Sequence, residues 1–125
     1  MIILEKPFCN EVFYEVKTLD DIKNSPSNST LVFEYCDSSL ELYAFCKNNG
    51  ISYAVKTQSL KEMIFCANLG AKYIFCDTIK KAKEFQKTAE NYLLDCKIIY
   101  LANNLEEIEK IAEYTIDGIK LKGTK

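Results

Sequence analysis

The polar residues best placed for chemistry follow short apolar runs. Asp37 follows Leu31–Cys36, Lys56 closes Ile51–Lys56 with Thr57 behind it, and Asp77 and Thr78 follow Lys72–Cys76. Asn103 and Asn104 come after Lys97–Leu101, and Lys120 and Lys122 sit in the last apolar run. In a parallel sheet the functional edge is the carboxyl end of the strands, so these residues would share one rim. Two carboxylates, a lysine, amides and hydroxyls there make a polar site for a small molecule. Helix capping explains many of the same positions without any function. Ser38-x-x-Glu41, Ser59-x-x-Glu62 and Asn103-x-x-Glu106 each fit the capping box, and Asp77 can cap the helix that follows it. Lys56 is not explained by capping. Partial burial would lower its pKa and favour a nucleophilic amine. The plain alternative is a packed stem with the ammonium in water. The candidate catalytic residues are therefore Lys56, Asp77 and Asp37.

Composition closes off other chemistries. The chain has 125 residues with no His, no Trp and no Arg, its 16 basic residues all being lysines. Without His there is no Ser-His-Asp or Cys-His catalysis and no common transition-metal site. Six cysteines occur without a Cys-x-x-Cys pair, so no metal is expected. Cys36 and Cys76, at predicted strand ends, are the candidates for a reactive thiol, and the other cysteines read as small core residues. Eighteen acidic residues give a net charge of −2, and no lysine run exceeds Lys80-Lys81, which argues against nucleic acid as a partner. The N-terminus has no signal-peptide pattern and no stretch approaches the ~20 apolar residues of a membrane span. These features point to a cytoplasmic chain with reduced cysteines and no membrane partner.

The elements that must position these residues alternate regularly from Thr30. Strands are predicted at Leu31–Cys36, Ile51–Lys56, Lys72–Cys76, Lys97–Leu101 and Ile116–Lys122. Helices are predicted at Leu40–Asn48, Leu60–Asn68, Ile79–Leu94 and Leu105–Tyr114. Ile79, Ala82, Phe85, Ala89 and Tyr92 form one apolar stripe, and Leu105, Ile108, Ile111 and Ala112 form another. A twenty-residue step repeats Ser39-Leu40 as Ser59-Leu60 and Phe45-Cys46 through Gly50 and Tyr53 as Phe65-Cys66 through Gly70 and Tyr73. Two strand–helix units obeying one geometry account for it without a duplicated binding unit. The chain reads as one α/β domain of about five parallel strands and four helices. Residues 1–29 add a strand or hairpin (Ile2–Glu5 and Val12–Val16) and a polar loop, and residues 30–122 carry the repeated units. Two arrangements are open: a doubly wound, flavodoxin-like sheet, or a half-barrel with all helices on one face. An open sheet leaves Ile116–Lys122 uncovered, so a homodimer is expected to cover that edge.

Ile51-Ser-Tyr-Ala-Val-Lys56-Thr resembles the lysine strand of the alanine racemase and diaminopimelate decarboxylase type of pyridoxal-phosphate barrel. Phe33-Glu-Tyr-Cys-Asp37 is similar to that family's first strand, and Leu69-Gly-Ala-Lys-Tyr-Ile74 to its Leu-Gly-Ala turn. The resemblance spans residues 30–77 and implies a Schiff-base role for Lys56 alone. The family's cofactor-stacking His, Gly-rich phosphate loops and second domain have no counterpart, so no cofactor is expected, pyridoxal phosphate included. The expected function is a noncatalytic binding or protein-interaction module. The alternative is a small-molecule enzyme, or a degenerate relative of one, using Lys56 as a Schiff-base or electrostatic residue.

Overall fold

A computed structural model describes residues 1–123. Seven strands form one all-parallel sheet: β1 (Ile2–Ile3), β2 (Val12–Glu15), β3 (Ser29–Glu34), β4 (Tyr53–Lys56), β5 (Tyr73–Cys76), β6 (Lys97–Ala102) and β7 (Gly118–Leu121). Five α-helices connect them: α1 (Leu19–Lys23), α2 (Leu40–Asn48), α3 (Leu60–Asn68), α4 (Ile79–Asn91) and α5 (Ile108–Glu113). Two of the strands and one helix exceed the expected count, and all three lie before Thr30.

The strand order is β1-β7-β6-β5-β4-β3-β2. From β2 to β7 each strand lies beside the next, which selects the half-barrel over the doubly wound sheet. Right-handed crossovers that all step in one direction place every helix on one face. The alternation of each strand then separates two apolar clusters. Leu31, Phe33, Tyr53, Val55, Ile74, Cys76 and Ile98 face the helices. Phe13, Ala54, Tyr73, Phe75, Ile99 and Leu101 face the other way and pack on one another. That second face is buried by curling of the sheet. Strands β2 and β5 are three positions apart, about 14 Å in a flat sheet. Yet the Phe13 ring lies 6.1 Å from Tyr73 and 6.2 Å from Phe75.

Of the two N-terminal expectations, a strand or a hairpin, the structure forms edge strands and no hairpin. Ile2 and Ile3 pair with Gly118 and Ile119, whereas Val12–Glu15 pairs with Ser29–Val32 at the opposite end of the sheet. Both strands are parallel to their neighbours, so the chain must return between them through residues 4–11. Cys9 in that segment packs against the inner cluster. On the other side, α1 is a five-residue crossover, started by Thr18, whose hydroxyl accepts from the Asp21 N–H. That short helix suffices to bring β3 beside β2 in parallel. The edge of β7 that the sequence leaves bare is paired by β1.

The twenty-residue repeat keeps its helices and its left-handed glycines, Gly50 at φ +65° and Gly70 at φ +82°. Its tyrosines part company. Because Tyr73 pairs with Ala54 in the sheet, Tyr53 points to the helices and Tyr73 to the inner face. The repeat is therefore one of strand–helix geometry. Among the described residues no helix is long and apolar enough to cross a membrane.

Candidate functional site

The inner face opens at the carboxyl ends of the strands into a cavity of about 740 Å³. Its floor is apolar, built from Phe13, Val32, Phe75 and Leu101. Lys56 ends β4 on the same face as Ala54 and lines this cavity. The sequence leaves open whether Lys56 faces a cavity or bulk water. Its side chain is 29% exposed, with Nζ 3.8 Å from Asp77 Oδ2 and 3.9 Å from Glu34 Oε1. The stem packs and the ammonium stands among carboxylates at the rim.

Asp77 is free for this contact because it does not cap α4. The hydroxyl of Thr78 accepts from the Lys81 N–H at 3.2 Å. The Asp77 carboxylate lies between two lysines, with Lys81 Nζ 3.6 Å from Oδ1. Asp37 stands apart. After Cys36 the chain enters a 3-10 turn, Asp37–Ser39, and the Asp37 carboxylate accepts the Tyr35 hydroxyl at 2.9 Å. Neither Asp37 nor Asp77 is among the cavity-lining residues, so Asp77 joins the site only through its contact with Lys56. Lys56 and Asp77 are thus brought together, and Asp37 is not.

The other capping readings divide. Ser59 caps α3, accepting from the Glu62 N–H at 3.2 Å. Asn104, one residue past the expected Asn103, caps the turn before α5. Ser38 makes no such cap because the 3-10 turn takes its place. Thr57 is fully buried, and its hydroxyl has no hydrogen-bond partner among the described residues.

Sequence reasoning placed Lys120 on this rim but did not find its partner, Glu5. Lys120 lines the cavity, is 5% exposed, and places Nζ 3.5 Å from Glu5 Oε2 and 4.9 Å above the Phe13 ring. Glu5 also accepts the Leu121 N–H at 2.9 Å. The available signal is period two: Gly118, Lys120 and Lys122 fall on one face of a strand whose other residues are apolar.

Of the two candidate thiols, burial pushes Cys76 up to about 12. Cys36 is exposed, and hydrogen bonding to the Ser38 hydroxyl, with Sγ 3.0 Å from Oγ, and then to the Ser38 backbone holds its pKa below the usual thiol value. Iodoacetamide at neutral pH is therefore expected to label Cys36 about tenfold or more faster than Cys76, because only the exposed thiolate reacts without local opening. Peptide mapping by mass spectrometry reads the ratio, and equal rates would contradict the buried placement of Cys76.

Among the described residues no group of three or more His, Cys, Asp or Glu side chains could hold a metal ion. Fold and site define an open, curled parallel α/β half-barrel with a charged rim over an apolar floor. In comparisons with known proteins, the chain matches no family model and no curated sequence.

Proposed function

We propose that the protein is a noncatalytic module that binds a small molecule in the mouth of its curled sheet. The single observation carrying this reading is the cavity of about 740 Å³ at the carboxyl ends of the strands. Ligand sites of a few hundred to about 1,000 Å³, mostly apolar with a few polar groups, are the usual form of such pockets. A concave site favours a small molecule over the flat face that a protein partner would need. All six cysteines are free, which supports a working place in a reducing compartment such as the cytoplasm.

Chemical-shift mapping with small aliphatic and aromatic fragments tests the reading. Binding is expected to move the amides of Val32, Lys56, Phe75 and Leu101 together. Fragments that move only the outer helix faces would overturn it.

The placement of Lys56 at the cavity favours a second reading, a Schiff-base enzyme. Borohydride trapping with pyridoxal phosphate and simple keto acids separates the two. The binding-module reading expects no adduct, and a reduced adduct on Lys56 would replace it with the enzyme. Pyridoxal phosphate is no part of the first reading. Gly50 and Gly70 lie in helix-to-strand loops away from the mouth, and Gly118 lies under Ile2, leaving only Gly123 at the cavity to approach a phosphate.

A further inference from the structure

The charges lining the mouth are interspersed in sign, and the least exposed of the lysines are already matched. Lys56 and Lys120 are the two lining lysines with less than a third of the side chain exposed. Lys120 Nζ lies 3.5 Å from Glu5, and Lys56 Nζ lies 3.9 Å from Glu34 and 3.8 Å from Asp77. Asp21 accepts the Lys17 N–H at 2.9 Å, which sets a carboxylate beside a third lysine. The remaining lining charges, Glu15 and Lys122, are one of each sign and both are exposed. Phe13, Val32, Phe75 and Leu101 supply the apolar floor, where the Phe13 and Phe75 rings stand 6.2 Å apart at 57°. An ion entering this mouth gives up water, finds the nearest opposite charges engaged, and meets its own sign beside them. An uncharged ligand leaves every pair in place and still gains the floor.

We propose that the mouth selects uncharged ligands with an aromatic body of one or two rings, seated on Phe13 and Phe75, and a neutral hydrogen-bonding group such as a hydroxyl or an amide. This rests on the mouth being the binding site. Aromatic rings gain from tilted or offset contact with other rings beyond the area they bury, and the floor presents two. Ser38 and Ser39, in the turn after β3, also line the cavity and bear hydroxyls suited to a neutral donor or acceptor. A cavity of about 740 Å³ has room for a body of this size.

The test uses three ligands that share one indole ring and differ in the terminal group: indole-3-ethanol, tryptamine and indole-3-acetate. Each is titrated at neutral pH, with affinity and amide shifts read by NMR. The alcohol is expected to bind at the mouth about tenfold more tightly than either ion, with an affinity that does not change between low and high salt. Lys56→Met removes the cation beside Glu34 and is expected to raise the affinity for tryptamine about fivefold, while the alcohol changes by less than about twofold. Lys56 is partly exposed, so this variant is expected to fold, and the three ligands test the proposal on the unaltered protein as well. If either ion binds the unaltered protein as tightly as the alcohol, the proposal falls while the mouth remains a binding site. An unchanged tryptamine affinity in folded Lys56→Met would also overturn it, because the matched charges would then not be what excludes an ion. If the alcohol does not bind but aliphatic fragments move the mouth amides, the proposal falls and the binding reading stands. If nothing moves those amides, both fall.

Discussion

Gly118→Ala is expected to reduce the unfolding free energy by about 1–3 kcal/mol, the usual cost of forcing an extra carbon into a packed site. A Cβ at Gly118 would lie 2.6 Å from the Ile2 carbonyl oxygen, 2.7 Å from Ile99 Cδ1 and 2.9 Å from Ile2 Cβ. Two of those atoms belong to β1, and one is backbone, so no side-chain rotation relieves the contact. β1 itself must move. It is held by the Ile2 N–H to Asp117 O bond at 2.8 Å and the Leu4 N–H to Ile119 O bond at 3.0 Å. Displacing it uncovers Ile2 and Leu4 from the inner cluster and draws Glu5 away from Lys120, so the damage extends to the mouth. Gly50 gives the contrast: nothing lies within 4 Å of its Cβ position, and only its φ of +65° opposes a side chain. Gly50→Ala is therefore expected to cost about 1 kcal/mol from conformation alone. Urea unfolding of the two variants reads both values. Faster hydrogen exchange at Leu4 in Gly118→Ala, and not in Gly50→Ala, would locate the loss. An unchanged midpoint for Gly118→Ala would mean that β1 is not held against β7 in solution.

The same few residues show what the sequence conveys and where it stops. Strands β3 to β6 are legible because each is an apolar run with its own helix following, and α4 buries Ala82, Phe85 and Ala89 as its stripe requires. Tyr92, the last member of that stripe, lies past the helix end and is exposed, and Ala112 of α5 is exposed as well. Periodicity locates a face but not where the helix leaves it. β1 is legible as a short apolar run at Ile2–Glu5, but its pairing is not, because its partner Gly118 is more than a hundred positions away. β2 is legible as a strand at Val12–Val16, but its parallel pairing is hidden because α1 is shorter than the crossovers that usually signal a strand–helix–strand unit. The curl has no local signature: an inner face buried by itself reads like one buried by helices. The site follows the same division. Lys56 and Asp77 end adjacent strands, and each is legible from its own apolar run. The meeting of Lys120 with Glu5 requires knowing that β1 lies beside β7. Asp37 leaves the expected site because a 3-10 turn replaces the cap and turns its carboxylate to Tyr35.

At the other end of the sheet, Glu11→Gln is expected to cost about 2–3 kcal/mol at neutral pH and to flatten the acid limb of the stability curve. Glu11 ends the return segment between β1 and β2 and ties it to the amino ends of β3 and β5. Its carboxylate accepts the Thr30 hydroxyl, the Tyr73 hydroxyl at 2.7 Å and the Lys72 ammonium at 3.0 Å. All three neighbours are donors. A glutamine has one oxygen: with it toward Thr30 and Lys72, its NH₂ faces the Tyr73 hydroxyl, which must turn from donor to acceptor, and the charge that holds Lys72 is lost. Burial by itself would raise the Glu11 carboxyl, but the bonds from Thr30, Tyr73 and Lys72 outweigh it and hold it below its ordinary value of 4.5. A carboxyl depressed in the folded state stabilises fully above its unfolded pKa and loses that contribution as pH falls through the folded value. The parent should therefore lose stability progressively as the pH drops below about 4.5, the limb that Glu11→Gln removes in part. Glu107 keeps some of it: burial opposes, but the Asn103 N–H and the Tyr100 hydroxyl hold that carboxyl low as well. Urea midpoints measured from pH 7 to pH 3 separate the cases. Parallel curves offset by a constant would show that Glu11→Gln costs packing only, whereas curves that converge toward low pH are what loss of an ionised acceptor requires.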